Sequence, residues 1–445
     1  MWKLAAFLSL VFGIASCRSQ FDFVNGRFED LSQRMEKFQD TAGKKWVLLI
    51  AGSRFYYNYR HQADVCHAYQ IVHKHGIPDE QIVVMMYDDI ANSLENPNKG
   101  EIINHPDGPN VYEGVPKDYT GDDVTPENFI SVLTGKKNMM KGIGSGKVID
   151  SGPNDHVFVF FSDHGAPGLI AFPSDRLYKA DLANAITYMH TNKRYQQLVF
   201  YIEACESGSM FYNNLADNIN VYATTAANRS QSSFACYFDD KRQTYLGDRY
   251  SVSWLEDSDQ ENLAVESLHK QYEITKAATN QSMVMQFGDV GLSKEPVSFF
   301  QGAKSTEPTK PLRQIYDDVP APDVKIHILN KKIESATSVE EENKLRGELN
   351  EEYEMRNTVG KVFKNIALKA TNGRNSLAGL VLYATPTLDN MSCYKDAVEW
   401  FDRVCFDLDS GNYDFAYRKL YVLGNLCDAG IPTQQILKTI SSLCK

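Results

Sequence analysis

The chain has little cysteine, no surplus of positive charge and no long apolar run. Eight cysteines in 445 residues are too few for a disulfide-built scaffold, and a chain this long buries enough surface to need none. Lys and Arg number 46 against 57 Asp and Glu, a formal net charge of −11. That balance argues against a general nucleic-acid binder, which needs a basic face to neutralise phosphates. No stretch reaches the ~20 apolar residues of a membrane-spanning helix, and no internal repeat or low-complexity tract occurs. The segment KGIGSGK at 141–147 has Lys141 and Val148 where a phosphate loop requires Gly and Ser/Thr. Neither a Gly-x-Ser-x-Gly elbow nor a zinc-protease helix motif is present. His73 and His75 sit near a helix end, where imidazole suits the dipole, and Asp88-Asp89 reads as a loop after a strand, so no metal or cofactor is expected. With 43% hydrophobic and 23% charged residues, what remains is a folded, multidomain globular protein.

The N-terminus has a secretory pattern: Lys3, an apolar run from Leu4 to Ile14, then Ala15, Ser16 and Cys17. We expect a signal peptide over 1–17 and a short polar pro-segment over 18–44, with the mature protein soluble in an endosomal, lysosomal or extracellular space. Three glycosylation triplets, at Asn228, Asn280 and Asn390, fit that export. Five apolar, β-rich runs follow: Trp46–Ala51, Ile82–Tyr87, Val157–Ser162, Leu198–Ala204 and Ile219–Thr224. Runs this apolar suit strands covered on both faces of a mostly parallel sheet. Helical patterns over Gln62–His75, Lys179–Met189 and Asp259–Ala278 alternate with them, which predicts one α/β domain over 45–304 with helices on both sheet faces. Prolines at 308, 311, 320 and 322 mark a linker over 305–330. Beyond it, 331–445 reads as all-α, beginning with the charged segment Lys331–Arg356 and ending in three helices near Cys393–Phe406, Tyr413–Ala429 and Thr433–Cys444.

Geometry pairs the last four cysteines. On one helix Cys393 and Cys405 stand about 18 Å apart at ~1.5 Å per residue, beyond the ~7 Å a disulfide spans. An antiparallel next helix returns Cys427 to Cys393, and a third brings Cys444 back to Cys405. The tail has no closely spaced ligand pair for zinc. Cys66 and Cys236 read as free core thiols.

Two strands run into reactive side chains. One ends in Asp163-His164-Gly165, the other in Glu203-Ala204-Cys205-Glu206-Ser207-Gly208. Ligands bind at the carboxyl ends of strands in open α/β sheets, so neighbouring strands would set His164 beside Cys205. A thiol needs a base to become nucleophilic near neutral pH, and imidazole is the usual one. The N–H groups of Gly165 and Cys205 are the natural donors to an oxyanion.

These segments resemble the catalytic segments of the legumain family, the asparaginyl endopeptidases, which share their fold with caspases. The likeness extends to Ala51-Gly52-Ser53, to Tyr57 through Asp64, to Val115 through Gly121, to Asn220 through Ala227 and to Tyr245 through Asp248. It implies a caspase-like catalytic domain with Cys205 as nucleophile, His164 as general base and Asn58 orienting the imidazole. It further implies a pocket of Arg60, His61, Glu203, Ser233 and Asp248 for the asparagine before the scissile bond (the P1 residue), and Asp163 as a residue able to close to a succinimide. Asparagine offers a carbonyl acceptor and an amide donor; Arg60 would serve the first, Glu203 and Asp248 the second. Aspartate would enter only when protonated in acid. Partners implied are protein and peptide substrates, cystatin-type inhibitors and the helical tail, an intramolecular prodomain released by cleavage after Asn330. The family's tail is basic against an acidic core. Here 331–445 carries 15 basic and 16 acidic residues, so the asymmetry survives with a nearly neutral tail. The alternatives are an asparaginyl ligase, in which an amine intercepts the thioester, a lipid-anchor transamidase, and a non-catalytic homologue acting through its tail.

Overall fold

A computed structural model describes residues 43–304 and 308–444. The expected signal peptide and almost all of the pro-segment lie outside the described residues. The catalytic lobe runs β1 (Lys45–Ala51), α1 (Tyr59–Lys74), β2 (Ile82–Met85), α2 (Pro126–Leu133), β3 (His156–Ser162), a hairpin of β4 (Gly165–Ala166), β5 (Leu169–Phe172) and β6 (Asp175–Tyr178), then α3 (Lys179–Thr191). It continues with β7 (Gln197–Glu203), β8 (Val221–Thr225), β9 (Phe234–Asp239), β10 (Thr244–Asp248), α4 (Arg249–Gln260), α5 (Leu268–Ala278), β11 (Met285–Gly288) and α6 (Ser298–Gln301).

The main sheet has the order β11-β8-β7-β3-β1-β2. Only the β11–β8 pairing is antiparallel. Alternation along β1 shows why both faces are covered. Val47, Leu49 and Ala51 join one hydrophobic cluster with α1 and α4, whereas Trp46, Leu48 and Ile50 join another with α2 and α3. Successive strand side chains point to opposite faces, so an all-apolar strand needs a helix layer on each side. All five expected strands are present.

The helix expected over 259–278 is two helices. α4 stops at Gln260, and α5 begins only after Ser267, whose side chain caps the N–H of Lys270. That cap supplies a partner for an end N–H and lets the chain turn between the helices.

The tail contains β12 (Val319–Pro320), α7 (Val324–Glu334), α8 (Val339–Ala370), α9 (Asn375–Tyr383), α10 (Met391–Val404), α11 (Tyr421–Asp428) and α12 (Thr433–Leu443). The charged segment 331–356 is broken where Ser338 caps α8 with Glu340, Glu341 and Glu342 in its first turn, a favourable arrangement for the helix dipole. The middle of the three last helices is shorter than expected: 414–419 is a 3₁₀ stretch before α11. The proline-rich stretch is not a bare linker, since β12 pairs with β9 and α7 starts at Val324. Cys393 is bonded to Cys427 and Cys405 to Cys444; Cys66 and Cys236 are free and buried. Catalytic lobe and tail share one hydrophobic cluster, in which Ala166, Leu169 and Tyr178 of the hairpin region meet Phe363, Tyr394 and Tyr417 of the tail. Among the described residues no helix is long and apolar enough to cross a membrane.

Candidate active site

Strands β3 and β7 are parallel neighbours, and their last residues, Ser162 and Glu203, stand opposite each other. The next residues therefore leave the sheet side by side: Asp163-His164 from one strand, Ala204-Cys205 from the other. The N–H of Asp163 donates to the Glu203 carbonyl at 3.0 Å, which carries the pairing one residue past the strands. Gly165 then lies against the Cys205 backbone; a Cβ there would stand 2.2 Å from the Cys205 carbonyl oxygen. Only glycine permits that approach. Directly after Cys205, Glu206 adopts φ 51°, ψ 19°, a left-handed conformation uncommon for a residue with a Cβ.

His164 Nε2 is 3.0 Å from Asn58 Oδ1. Asn58 Nδ2 donates to the Arg54 carbonyl at 3.0 Å, so the amide is held with its oxygen toward the imidazole. Cys205 Sγ lies 3.7 Å from Ser233 Oγ. Burial pushes the Cys205 thiol up to about 12, with Glu206 adding to the shift. Burial, then the Arg60 charge, brings His164 down to about 3. In this closed form the two groups are a neutral thiol and a neutral imidazole.

The predicted pocket residues cluster beside this pair. Arg60 Nε donates to Asp248 Oδ1 at 2.9 Å, and both side chains are essentially inaccessible. His61 Nε2 is 3.5 Å from Asp248 Oδ2, and its Nδ1 is 3.2 Å from Asp163 Oδ1. Glu203 Oε2 accepts from the N–H and hydroxyl of Ser251 at 3.0 and 3.1 Å. Among the described residues, three atoms of the set are buried without a hydrogen bond: Arg60 Nη2, Glu203 Oε1 and Asp248 Oδ2, the last with only the 3.5 Å approach of His61 Nε2. Ser251 escaped the sequence reading, although it follows the strand-to-helix junction that carries Asp248, and Ser53, named in the resemblance, has no role there. His61, Asp163 and His164 offer a possible cation cluster, but Ser53 Oγ already lies 2.6 Å from His61 Nδ1 and Asn58 engages His164.

The tail covers the site. The cleft bearing Asn58, His164, Gly165 and Cys205 is also lined by Ala321, Met355, Phe415 and Arg418. Val319 pairs with Ala235, and the Ala321 N–H donates to the Ser233 carbonyl at 2.9 Å. The Tyr57 hydroxyl donates to Asp414, and Arg54 donates to the Asp409 carbonyl at 2.8 Å. Asn330, the expected processing residue, is exposed but helical within α7, and its Nδ2 donates to the Ile326 carbonyl at 2.9 Å.

Comparison with known proteins accords with this geometry. The model of the peptidase C13 family matches residues 45–303, and that of the legumain prodomain matches 345–444. The chain belongs to the legumain family, peptidase C13. It is 48% identical to human legumain over all of this chain and 99% of that protein. Mouse legumain is 49% identical with the same coverage, and a vacuolar-processing enzyme from Citrus sinensis is 39% identical over 91% of this chain and 86% of its own. A caspase-1 structure from Spodoptera frugiperda covers 60% of this chain and 92% of its own at 9% identity and a TM-score of 0.33, too low to add to the sheet order itself. The family makes the chain a legumain-type cysteine endopeptidase, and the prodomain makes it a zymogen.

Proposed function

We propose that the enzyme cleaves peptide bonds after asparagine, with Cys205 as nucleophile, His164 as general base and acid, and Asn58 holding the imidazole through Nε2. Nδ1 then serves the thiol. It takes the Cys205 proton as sulfur attacks the P1 carbonyl carbon, and returns it to the leaving amine as the C–N bond breaks. Water resolves the thioester by the same exchange. The N–H groups of Gly165 and Cys205 would donate to the oxyanion.

The observation that carries the asparagine reading is the set of three unpartnered buried atoms. Arg60 Nη2 is a donor; Glu203 Oε1 and Asp248 Oδ2 are acceptors. A buried polar group without a partner costs about 1–3 kcal/mol, and a P1 carboxamide supplies an acceptor and two N–H donors to relieve all three. His61 and Ser233 complete the walls. An ionised aspartate would set a third carboxylate against Glu203 and Asp248, so its cleavage belongs to acid pH.

The tail acts as an intramolecular inhibitor. Pairing of Val319 with β9 and the Ala321 bond to Ser233 occupy the edge a substrate strand would use. Cleavage after Asn330 requires local unwinding of α7. Asp163 could close to a succinimide by attack of the His164 nitrogen on its side-chain carbon, releasing one water; a hydrogen bond from that N–H to the carboxyl supports this. The acidic lumen of the endosome or lysosome, or secretion, is the setting we assign, with glycans at Asn228, Asn280 and Asn390 and cystatin-type proteins as inhibitors. Asn390 accepts from the Cys393 N–H through its oxygen, which leaves its nitrogen for a sugar.

The test uses acid-activated protein and peptides that differ only in Asn, Gln, Asp or Arg at P1, beside Cys205→Ala. Cleavage after Asn, absent in the variant, is expected. Equal cleavage after Arg, or undiminished activity in Cys205→Ala, removes the reading.

A further inference from the structure

Behind the P1 pocket lies a fourth acid with no part in the reading above. Asp64, on the same helix as Arg60 and His61, is wholly buried. Its Oδ1 accepts from Asn104 Nδ2 at 2.8 Å and lies 3.4 Å from the Asp248 N–H. Its Oδ2 is 3.2 Å from Ser162 Oγ. Asn104 in turn donates to the Leu246 carbonyl at 2.9 Å. One carboxyl therefore joins the end of β10, which carries Asp248, to the end of β3, which leads into Asp163 and His164. Gly247 makes the joint possible: a Cβ there would stand 2.5 Å from Val252, 3.0 Å from Asn104 and 3.3 Å from Asp64.

We propose that Asp64 is a positioning residue for the P1 pocket, clamping the Asp248 backbone so that its free oxygen faces the substrate amide. This rests on the asparagine-pocket reading and deepens it.

Charge decides the form in which Asp64 acts. The titratable groups that act on it are Asp248 from β10, Glu203 from β7, Cys66 on its own helix and Cys236 from β9, while Arg60 and His61 of that helix contact Asp248. Three buried carboxyls thus stand together, with a guanidinium bonded to Asp248, and they cannot all ionise. Burial, then the charge of Asp248, drives Asp64 upward. Burial drives Asp248 upward too, but Arg60 and a hydrogen bond from Asp64 oppose it. The Arg60 guanidinium is bonded to Asp248, which favours the charge on Asp248 and the proton on Asp64. As pH rises and Asp64 ionises, a second negative charge appears behind Asp248 and repels its carboxylate from the position that serves the substrate amide.

The experiment compares Asp64→Asn and Asp64→Ala with the parent after activation, measuring kcat and KM for P1-Asn and P1-Asp peptides from pH 4 to 7.5. Asparagine copies the neutral acid, so Asp64→Asn should keep KM within about twofold in acid and move the alkaline limb of kcat/KM upward by about half a pH unit or more. Asp64→Ala should raise KM for P1-Asn about tenfold or more with kcat nearly unchanged. If Asp64→Ala fails to fold, the pH profile of Asp64→Asn decides alone. An Asp64→Asn profile superimposed on the parent's, or an unchanged KM in folded Asp64→Ala, overturns the proposal. If the parent itself shows no preference for P1-Asn, the pocket reading falls first and takes this inference with it.

Discussion

Arg176 of the catalytic lobe is bound by Asp409 of the prodomain at 2.7 Å, and only 4% and 12% of these side chains are exposed. Arg176 also reaches Asp402 at 3.0 Å and the Tyr417 hydroxyl at 3.1 Å. The pair lies at the hairpin and adds to the strand that fills the substrate edge; Tyr417, to which Arg176 donates, also lines the Cys205 cleft.

Arg176→Met would leave two carboxylates without their cation at this junction. Stranding buried charges is more costly than the pair's net value, and we expect docking to weaken by about 2 kcal/mol, roughly thirtyfold in the closed-to-open ratio. The rate of prodomain loss at one fixed acid pH, followed on gels, should rise accordingly. An unchanged rate would show that the latch holds nothing.

Asn58→Ala should separate orientation from binding. The imidazole loses its side-chain support at Nε2, so kcat should fall about a hundredfold while KM stays within about twofold. Loss confined to KM would assign Asn58 to substrate binding instead.

Asp248→Asn removes a negative charge from the pocket. Placing like charges together costs several kcal/mol, so the P1-Asn to P1-Asp ratio of kcat/KM near pH 6 should fall about tenfold or more. A ratio equal to the parent's would mean that Asp248 does not face P1.

Above about pH 6.5, where the histidines held neutral by burial are also neutral when unfolded, stability should fall as pH rises. Burial raises Asp64, Glu203 and Asp163, and Glu266, beside Asp257, is pushed from 4.5 up to about 8 by burial and by the charge and hydrogen bond of that neighbour. An acid whose folded value exceeds its unfolded value stabilises fully below the unfolded value. That contribution is lost as pH climbs through the folded one. Glu266→Gln carries no such loss. Its melting temperature should match the parent's near pH 4 and exceed it increasingly toward pH 8; parallel curves would contradict the assignment.

The chemistry of the site was legible along the chain because a parallel sheet delivers its strand ends to one edge. Once β3 and β7 were recognised as strands, His164 and Cys205 followed from their positions alone. Asn58, Arg60 and His61 are legible only by resemblance, since they stand around the first turn of a helix without any local signal. Ser53, Ser251 and Asp64 carried none either. Their roles arise from partners far along the chain, and short polar side chains look alike in sequence whether they cap a turn or clamp a pocket.

By itself the sequence determined the layered α/β lobe, the helical tail and the cysteine pairing, because hydrophobic period and helix rise act locally. Only the tertiary structure decided which charges meet. The Arg60–Asp248 pair, the three unpartnered pocket atoms and the Arg176 latch depend on distances between segments separated by a whole domain. A buried charge takes its protonation state from neighbours that only folding brings near.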